Sequence, residues 1–320
     1  MWISWETTVV IYYLAFICAL NIKGQILDDV ESVDDPIKFY VYTRHNNVTP
    51  QILQADVESI VRSVLNPNKQ STLAIHGVLG NKSSEECLII KDAKLKVEDA
   101  NIIIVDYSSL MESNDFKIDF SSADLVAKSI TDLVILLKEN FNMNIQNIHI
   151  VGFSLGGQIA GLAGQNIYKH CAEKINRITA LDPAGIIFTE TTPANEKLTA
   201  DDADYVEVVH TNAGEYGYET PCGHVDYYPN GGKIQPGCNS IDNSCSHNRA
   251  YKFIPEMWSP VKNQEFLLLK CENVDFMSLD SCRWQNKIMG ELDQQQKGLY
   301  YVETNDNNPF GKGAFKKQFL

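Results

Sequence analysis

No two of the eight cysteines in this chain are spaced as C-x-x-C. A paired-ligand metal module is therefore not indicated. Basic residues are scarce as well: 27 Lys and Arg stand against 41 Asp and Glu, a formal net charge of −14. That balance argues against a nucleic-acid partner and against strong attraction to anionic membranes. It leaves docking at a lipid interface open, because apolar contacts can carry such binding. Long apolar runs are nearly missing. The single one, residues 8–20, is too short to span a bilayer comfortably, and no second run is long enough for a transmembrane helix. Internal repeats and linker-like stretches are absent too, which excludes a solenoid or a beads-on-a-string chain.

What is there begins with that terminal run. Its position fits the apolar region of a secretory signal, although the residues before it include Glu6 and neither Lys nor Arg. Cleavage between Ala19 and Gly24 would leave residues 25–320 as one extracellular domain. With 44% hydrophobic residues, such a domain has ample core. Removing Cys18 leaves an odd set: Cys87, Cys171, Cys222, Cys238, Cys245, Cys271 and Cys282. A secreted chain pairs most of its cysteines. Cys238 with Cys245 and Cys271 with Cys282 are the expected bridges, since each pair is close in sequence. One thiol is then left free or bonded to another chain. Asn47-Val48-Thr49 and Asn81-Lys82-Ser83 are glycosylation acceptors in that compartment.

Strand and helix patterns alternate. Residues 37–42, 72–75, 101–105, 177–181 and 205–209 read as strands. Residues 51–64 carry apolar positions at helical spacing. Residues 121–141 do so too, with Ser121 or Ser122 as cap and Leu125, Val126, Ile130, Leu133, Val134 and Leu137 on one face. Apolar strands alternating with helices indicate a mostly parallel central sheet covered on both faces.

The most informative string is Ile148-His149-Ile150-Val151-Gly152-Phe153-Ser154-Leu155-Gly156-Gly157. An apolar strand running into G-x-S-x-G, followed by a small-residue helix, is the context of a nucleophile elbow. Such a serine needs a base to take its proton and a carboxylate to orient that base, in the chain order Ser, Asp or Glu, His. Asp182 closes the strand 177–181 and is the expected acid; Asp201, Asp202 and Asp204 precede their strand and lie at its wrong end. Three histidines follow: His210, His224 and His247. Local pattern does not choose firmly between His210, at a strand end, and His247, in a cysteine-bounded loop opening a helix. The loop placement favours His247. Backbone N–H groups of Leu155 and of Val78, in His76-Gly77-Val78, are the expected oxyanion donors, with His76 shaping that loop.

With these residues in hand, the chain resembles the pancreatic-lipase-like family. The strings that carry the resemblance are His76-Gly77-Val78, residues 151–157 and 178–185, His210-Thr211-Asn212, the run from Gly223 to Gly232, Gln235-Pro236-Gly237-Cys238 and Cys245-Ser246-His247-Asn248-Arg249-Ala250-Tyr251. They span most of residues 70–255. The resemblance implies an α/β-hydrolase fold, a triad of Ser154, Asp182 and His247, and the oxyanion donors Val78 and Leu155. It implies chemistry that needs no metal or other cofactor. Two departures matter. Only Asn239 to Ser244 lie between Cys238 and Cys245, where the family carries its lid, and the 210–223 loop is also short. Both are features of the phospholipase A1 branch that includes wasp-venom enzymes. The chain also ends soon after residues 300–304, so no C-terminal β-sandwich and no colipase partner are expected. The reading is a secreted, monomeric serine esterase that cleaves the sn-1 acyl ester of phospholipids. A triacylglycerol lipase or galactolipase is the nearer alternative. A non-catalytic, yolk-protein-like binding member is the further one.

Overall fold

The computed structural model describes residues 35–111, 119–275, 277–290 and 296–313. The apolar run at residues 8–20 and the end of the C-terminal tail lie outside the described residues, as does the expected boundary near residue 24. The described residues from Ile37 onward form one compact unit.

Among the described residues eleven strands make one sheet: β1 (Lys38–Tyr42), β2 (Gln51–Leu53), β3 (Ser71–Ile75), β4 (Asn101–Asp106), β5 (Ile148–Phe153), β6 (Arg177–Leu181), β7 (Tyr205–Val209), β8 (Val225–Pro229), β9 (Leu267–Cys271), β10 (Arg283–Ile288) and β11 (Gly298–Val302). Their order is β10-β9-β11-β8-β7-β6-β5-β3-β4-β1-β2. From β4 to β11 every neighbouring pair is parallel. The strands outside that block, β1 and β2 at one edge and β9 and β10 at the other, pair antiparallel.

The helices among the described residues are α1 (Val57–Val61), α2 (Glu85–Val97), α3 (Ser108–Met111), α4 (Phe120–Phe141), α5 (Leu155–Cys171), α6 (Asn243–Lys252) and α7 (Ile254–Trp258). They cover both faces. Ile103, Val105, Ile150 and Ile178 point into one core with α4 and α5. Their neighbours Ile102, Ile104 and Val151 point into the other with α2, α6 and α7. Successive strand residues face opposite ways, so the run Ile102 to Val105 feeds both cores and has to be apolar throughout. No helix among the described residues is long and apolar enough to cross a membrane.

Two expectations need correction. Residues 51–64 are not one helix. Gln51–Leu53 form the edge strand β2, helix is confined to Val57–Val61, and Val57, Val61 and Val64 are exposed. Apolar spacing there reflects an edge strand followed by a single turn rather than a buried face. In α4 the cap is Asp119, whose side chain accepts the Ser122 N–H, and Leu125 is half exposed. A carboxylate caps a helix start as well as a hydroxyl does and adds charge at the positive end of the helix dipole.

Candidate active site

Three adjacent strand ends build the site. β5 stops at Phe153 and α5 starts at Leu155, so the chain reverses at one residue. Ser154 makes that reversal with φ 54° and ψ −120°, a conformation uncommon for a residue with a Cβ. It is clamped on three sides: its N–H donates to Leu181 O at 3.0 Å, and its carbonyl accepts from Gly157 N at 2.9 Å and from Ala184 N at 3.0 Å. The flanking glycines are steric requirements. A Cβ on Gly152 would lie 2.0 Å from Gly156 O, and one on Gly156 would lie 2.4 Å from Ile75 O. Leu155 N–H is the first donor of a long helix, where the early amides have no carbonyl partner within the helix.

The next strand, β6, ends in Asp182, fully buried and also at positive φ (44°). Its N–H donates to Val209 O at 2.7 Å, tying it to the end of β7. Its carboxylate is filled. Oδ1 accepts backbone N–H groups of Thr211 at 2.7 Å and Asn212 at 3.0 Å; Oδ2 accepts His247 Nδ1–H at 2.6 Å. Gly217 makes room for it, since a Cβ there would lie 2.4 Å from Asp182 Oδ1.

His247 sits on α6. That helix is started by Asp242, which accepts Ser244 N–H at 3.1 Å, and is fastened by a Cys238–Cys245 disulfide. Thr211 Oγ1 donates to His247 O at 3.2 Å. The imidazole lies between two rings: Phe153 at 4.6 Å, tilted, and Tyr216 at 5.6 Å, edge-on. Among the described residues nothing hydrogen-bonds its other nitrogen, Nε2. A ring oriented by a carboxylate through Nδ1, with Nε2 left as a lone pair, is the form in which a histidine accepts a proton.

The loop after β3 runs beside the serine: a Cβ on Gly77 would lie 3.2 Å from Ser154 Cβ. Val78 is half-buried there, and Leu79, at φ 62°, is exposed. The loop rests on buried groups. Gly77 N–H donates to Glu86 Oε1 at 3.3 Å, and His76 is fully buried, stacked on Tyr107 at 4.0 Å. Burial alone would push the neighbouring Asp106 carboxyl up, yet hydrogen bonds from His76, Ser108 and Lys82 hold it well below the usual carboxylate range. His76 is thus walled into the support of the loop and does not reach its surface.

Two short segments flank His247. Between Cys238 and Cys245, Asn239 Oδ1 accepts the N–H groups of Ile241 and Asp242 at 3.0 and 2.7 Å, a tight turn that leaves Ile241 exposed. Opposite, the turn at residues 212–217 is sewn to the Asp182 loop by Gly185 N to Tyr216 O at 2.9 Å and Tyr218 N to Pro183 O at 2.7 Å. Asn243 Nδ2 donates to Glu215 Oε2 at 2.9 Å and joins the two segments.

The other two histidines have structural surroundings. His224 Nδ1 accepts Val206 N–H at 3.0 Å. His210 is fully buried, with both nitrogens engaged, by Tyr218 O and by Asp226 Oδ1, each at 2.9 Å. A second disulfide joins Cys271 to Cys282; Cys87, Cys171 and Cys222 are free thiols. Asn47 and Asn81 are exposed. The amides of Thr211 and Asn212, the aromatic contact of Tyr216 and the space left by Gly217 were not anticipated from sequence. The first of these had a signal, because a carboxylate at one parallel strand end must meet the backbone that leaves the next.

A family model described as "Lipase" matches residues 22–310 of the chain. The human lipoprotein lipase is 34% identical over 216 residues, 65% of this chain and 44% of that protein. The zebrafish lipase member H is 30% identical over 323 residues, 93% of this chain and 67% of that protein. The chain therefore spans less than half the length of the lipoprotein lipases it matches.

Proposed function

Because this chain belongs to the lipase family, we propose that it is a carboxylic ester hydrolase acting on glycerolipids, and more narrowly a secreted phospholipase A1 that releases the sn-1 acyl chain. The observation that carries the catalytic part is the Asp182–His247 hydrogen bond, with the His247 ring packed on Phe153, the residue next to the strained Ser154. Ser154 Oγ attacks the ester carbonyl while His247 Nε2 takes its proton. Asp182, locked by the Thr211 and Asn212 amides, holds the imidazole in the tautomer that can do so and stabilises the imidazolium that forms. Charge gathers on the carbonyl oxygen, and the N–H groups of Leu155 and Val78 are the donors proposed to meet it. The tetrahedral adduct collapses as His247 returns the proton to the leaving alkoxide, which departs as the lysolipid. Water, deprotonated by the same nitrogen, then attacks the acyl-serine and frees the fatty acid.

The phospholipid preference rests on the two short segments beside His247. The 239–242 turn and the 212–217 turn are pinned by their own hydrogen bonds and to each other. Neither offers an amphipathic helix that would have to swing away before a bulky head group enters. Extracellular placement is supported by the two disulfides.

The test is fatty-acid release from a phosphatidylcholine labelled differently at sn-1 and sn-2, beside a triolein emulsion, with Ser154→Ala as control. Preferential sn-1 release, lost in the variant by several orders of magnitude, is the expected result. Triolein hydrolysis alone would replace the phospholipase reading by a triacylglycerol lipase. A folded protein with no release from either lipid and no labelling by a fluorophosphonate would leave a binding protein.

A further inference from the structure

Away from Ser154, one cluster among the described residues gathers side chains of metal-ligand type: His210, Cys222 and Asp226, with donor atoms within 4.8 Å of one another. Its hydrogen bonding leaves a positive charge to be placed. Tyr218 O, 2.9 Å from His210 Nδ1, can only accept, so Nδ1 carries a hydrogen. Nε2 then faces another acceptor, Asp226 Oδ1, also at 2.9 Å. Two ring nitrogens meet two acceptors, and something cationic has to lie between Nε2 and the carboxylate. A proton satisfies the pair alone. A divalent cation satisfies it equally and gives the adjacent thiol a partner.

The surroundings are those that fix metal ligands in position. The Nδ1–H to carbonyl bond sets the ring so that Nε2 points at the carboxylate. Tyr228 stacks on the ring at 4.2 Å with planes 7° apart. Cys222 N–H donates to Asp226 Oδ1 at 2.9 Å and Gly223 N–H bridges both carboxylate oxygens at 3.3 and 3.2 Å, so the cysteine's own backbone orients the acid. Cys222 is half-buried as a residue and packs against the core beside the pair.

We propose that His210 Nε2, an Asp226 carboxylate oxygen and Cys222 Sγ form a zinc(II) site, with a water as fourth ligand. Zinc takes nitrogen at about 2.0–2.1 Å, carboxylate oxygen at about 2.0–2.2 Å and thiolate at about 2.3 Å, in a tetrahedron. Those bond lengths put the nitrogen and oxygen roughly 3.4 Å apart and the sulfur roughly 3.6 Å from each. The pair therefore opens slightly and the thiol, within 4.8 Å of both partners, closes in by at most about an ångström. Binding displaces two protons, the one between His210 and Asp226 and the one on the thiol. The product is neutral: a dication, a carboxylate, a thiolate and a neutral imidazole. Zinc there would bridge the end of β7 to the loop entering β8, and it accounts for one of the three thiols that the disulfides leave over.

The proposal stands apart from the hydrolytic reading and is tested without activity. The full protein, stripped with a chelator, is titrated with cobalt(II) and then zinc(II). One equivalent of cobalt giving a thiolate-to-metal charge-transfer absorption, displaced by one equivalent of zinc, is expected. Cys222→Ser and Cys222→Ala, with folding checked by near-UV circular dichroism, should lose the absorption and bind at least tenfold more weakly. Cys87→Ser and Cys171→Ser should keep both. Zinc should raise the thermal midpoint of the wild type and not of the Cys222 variants. The site is refuted by a wild type that binds no stoichiometric metal, or by an absorption that survives in both Cys222 variants.

Discussion

Among the described residues three buried His–Asp pairs stand out, and two of them, His247–Asp182 and His210–Asp226, are close hydrogen bonds of 2.6 and 2.9 Å, against 3.5 Å for His76–Asp106. Both gather around the β6–β8 part of the sheet, and distance alone does not tell them apart. The second ring nitrogen does. In His210 it is spent on Tyr218 O, and the ring is sealed under Tyr228 with no exposure at all. In His247 it has no described partner and lies at the end of the chain of contacts that begins with Asp182. Buried imidazole–carboxylate pairs are thus not active sites in themselves. What sets His247 apart is a ring nitrogen left without a described partner, on a ring that packs against Phe153, the neighbour of the strained Ser154.

The sharpest way to break that contrast is to remove each ring. His247→Ala should lower kcat by about 10⁴-fold or more, well beyond what its own loss of stability explains. His210→Ala strips a buried carboxylate of its partner, and its main effect should be a loss of about 3–5 kcal/mol in stability. Activity assays and thermal unfolding on both variants decide the matter. Equal loss of kcat in the two would dissolve the distinction.

A subtler change moves the Asp182 carboxylate instead of deleting its partner. Gly217→Ala puts a methyl 2.4 Å from Asp182 Oδ1, so either the carboxylate or the 212–217 turn has to shift. Displacement of a catalytic group by about 1 Å costs on the order of 10² in rate. We expect a loss of that size in kcat, with little change in KM, read from steady-state kinetics on a soluble short-chain ester. A wild-type rate would mean that the carboxylate tolerates displacement.

Another buried imidazole extends the comparison to stability. His149 has no carboxylate in contact: its Nε2–H donates to Thr179 Oγ1 at 2.7 Å, and that hydroxyl donates on to Glu207 at 2.5 Å. Burial, helped by the charges of Lys94 and Arg177, pushes this histidine well below its ordinary range, so it stays neutral in the fold. The unfolded chain takes up a proton at about pH 6.5. Stability from this group is therefore complete above that pH and falls below it by up to about 1.4 kcal/mol per pH unit. Asp202 works in the opposite sense. Burial outweighs the hydrogen bonds from Thr199 and pushes its carboxyl up to about 7, so the fold gains stability as the pH falls from there toward about 4. Whole-protein acid curves mix the two, and the informative quantity is the difference between wild type and His149→Gln. It should be flat above about pH 6.5 and change progressively below it, in favour of the variant. Chemical denaturation at several pH values gives that difference, and a flat line throughout would show that His149 takes up its proton in the fold.

Much of the site was legible in the sequence because its parts obey steric rules. G-x-S-x-G is written by two close approaches, Gly152 to Gly156 O and Gly156 to Ile75 O. Asp182 was legible as a neighbour of Ser154 because parallel strands put their carboxyl ends together. The buried strand β4 was legible as a continuous apolar run from Ile102 to Val105, and β5 as one interrupted by His149. Other elements broke the pattern for physical reasons. Helix α2 buries Glu86 and Lys91 beside Ile90, so its core-facing side does not read as apolar. β10 has no fully buried position, and its sequence carries no alternation to find. The choice of His247 over His210 was out of reach of local pattern. It depends on which ring nitrogen a distant carbonyl occupies, and Tyr218 O is fixed only once the 212–217 turn has folded against the Asp182 loop.

The smallest expected effect concerns the ring that sequence did not anticipate. Tyr216 meets His247 edge-on at 5.6 Å, and its backbone is held at both ends, by Asn212 Oδ1 on its N–H at 3.1 Å and by Gly185 N–H on its carbonyl at 2.9 Å. The turn therefore keeps its shape without the side chain, and truncation removes only the contact. Aromatic edge contacts are worth about 0.5–1.5 kcal/mol. Tyr216→Ala should thus lower kcat by about two- to tenfold, while Tyr216→Phe keeps the ring edge and stays near wild type. If Tyr216→Phe falls as far as Tyr216→Ala, the hydroxyl rather than the ring is what matters. Tyr216 would then belong with the groups that touch substrate instead of those that steady the histidine.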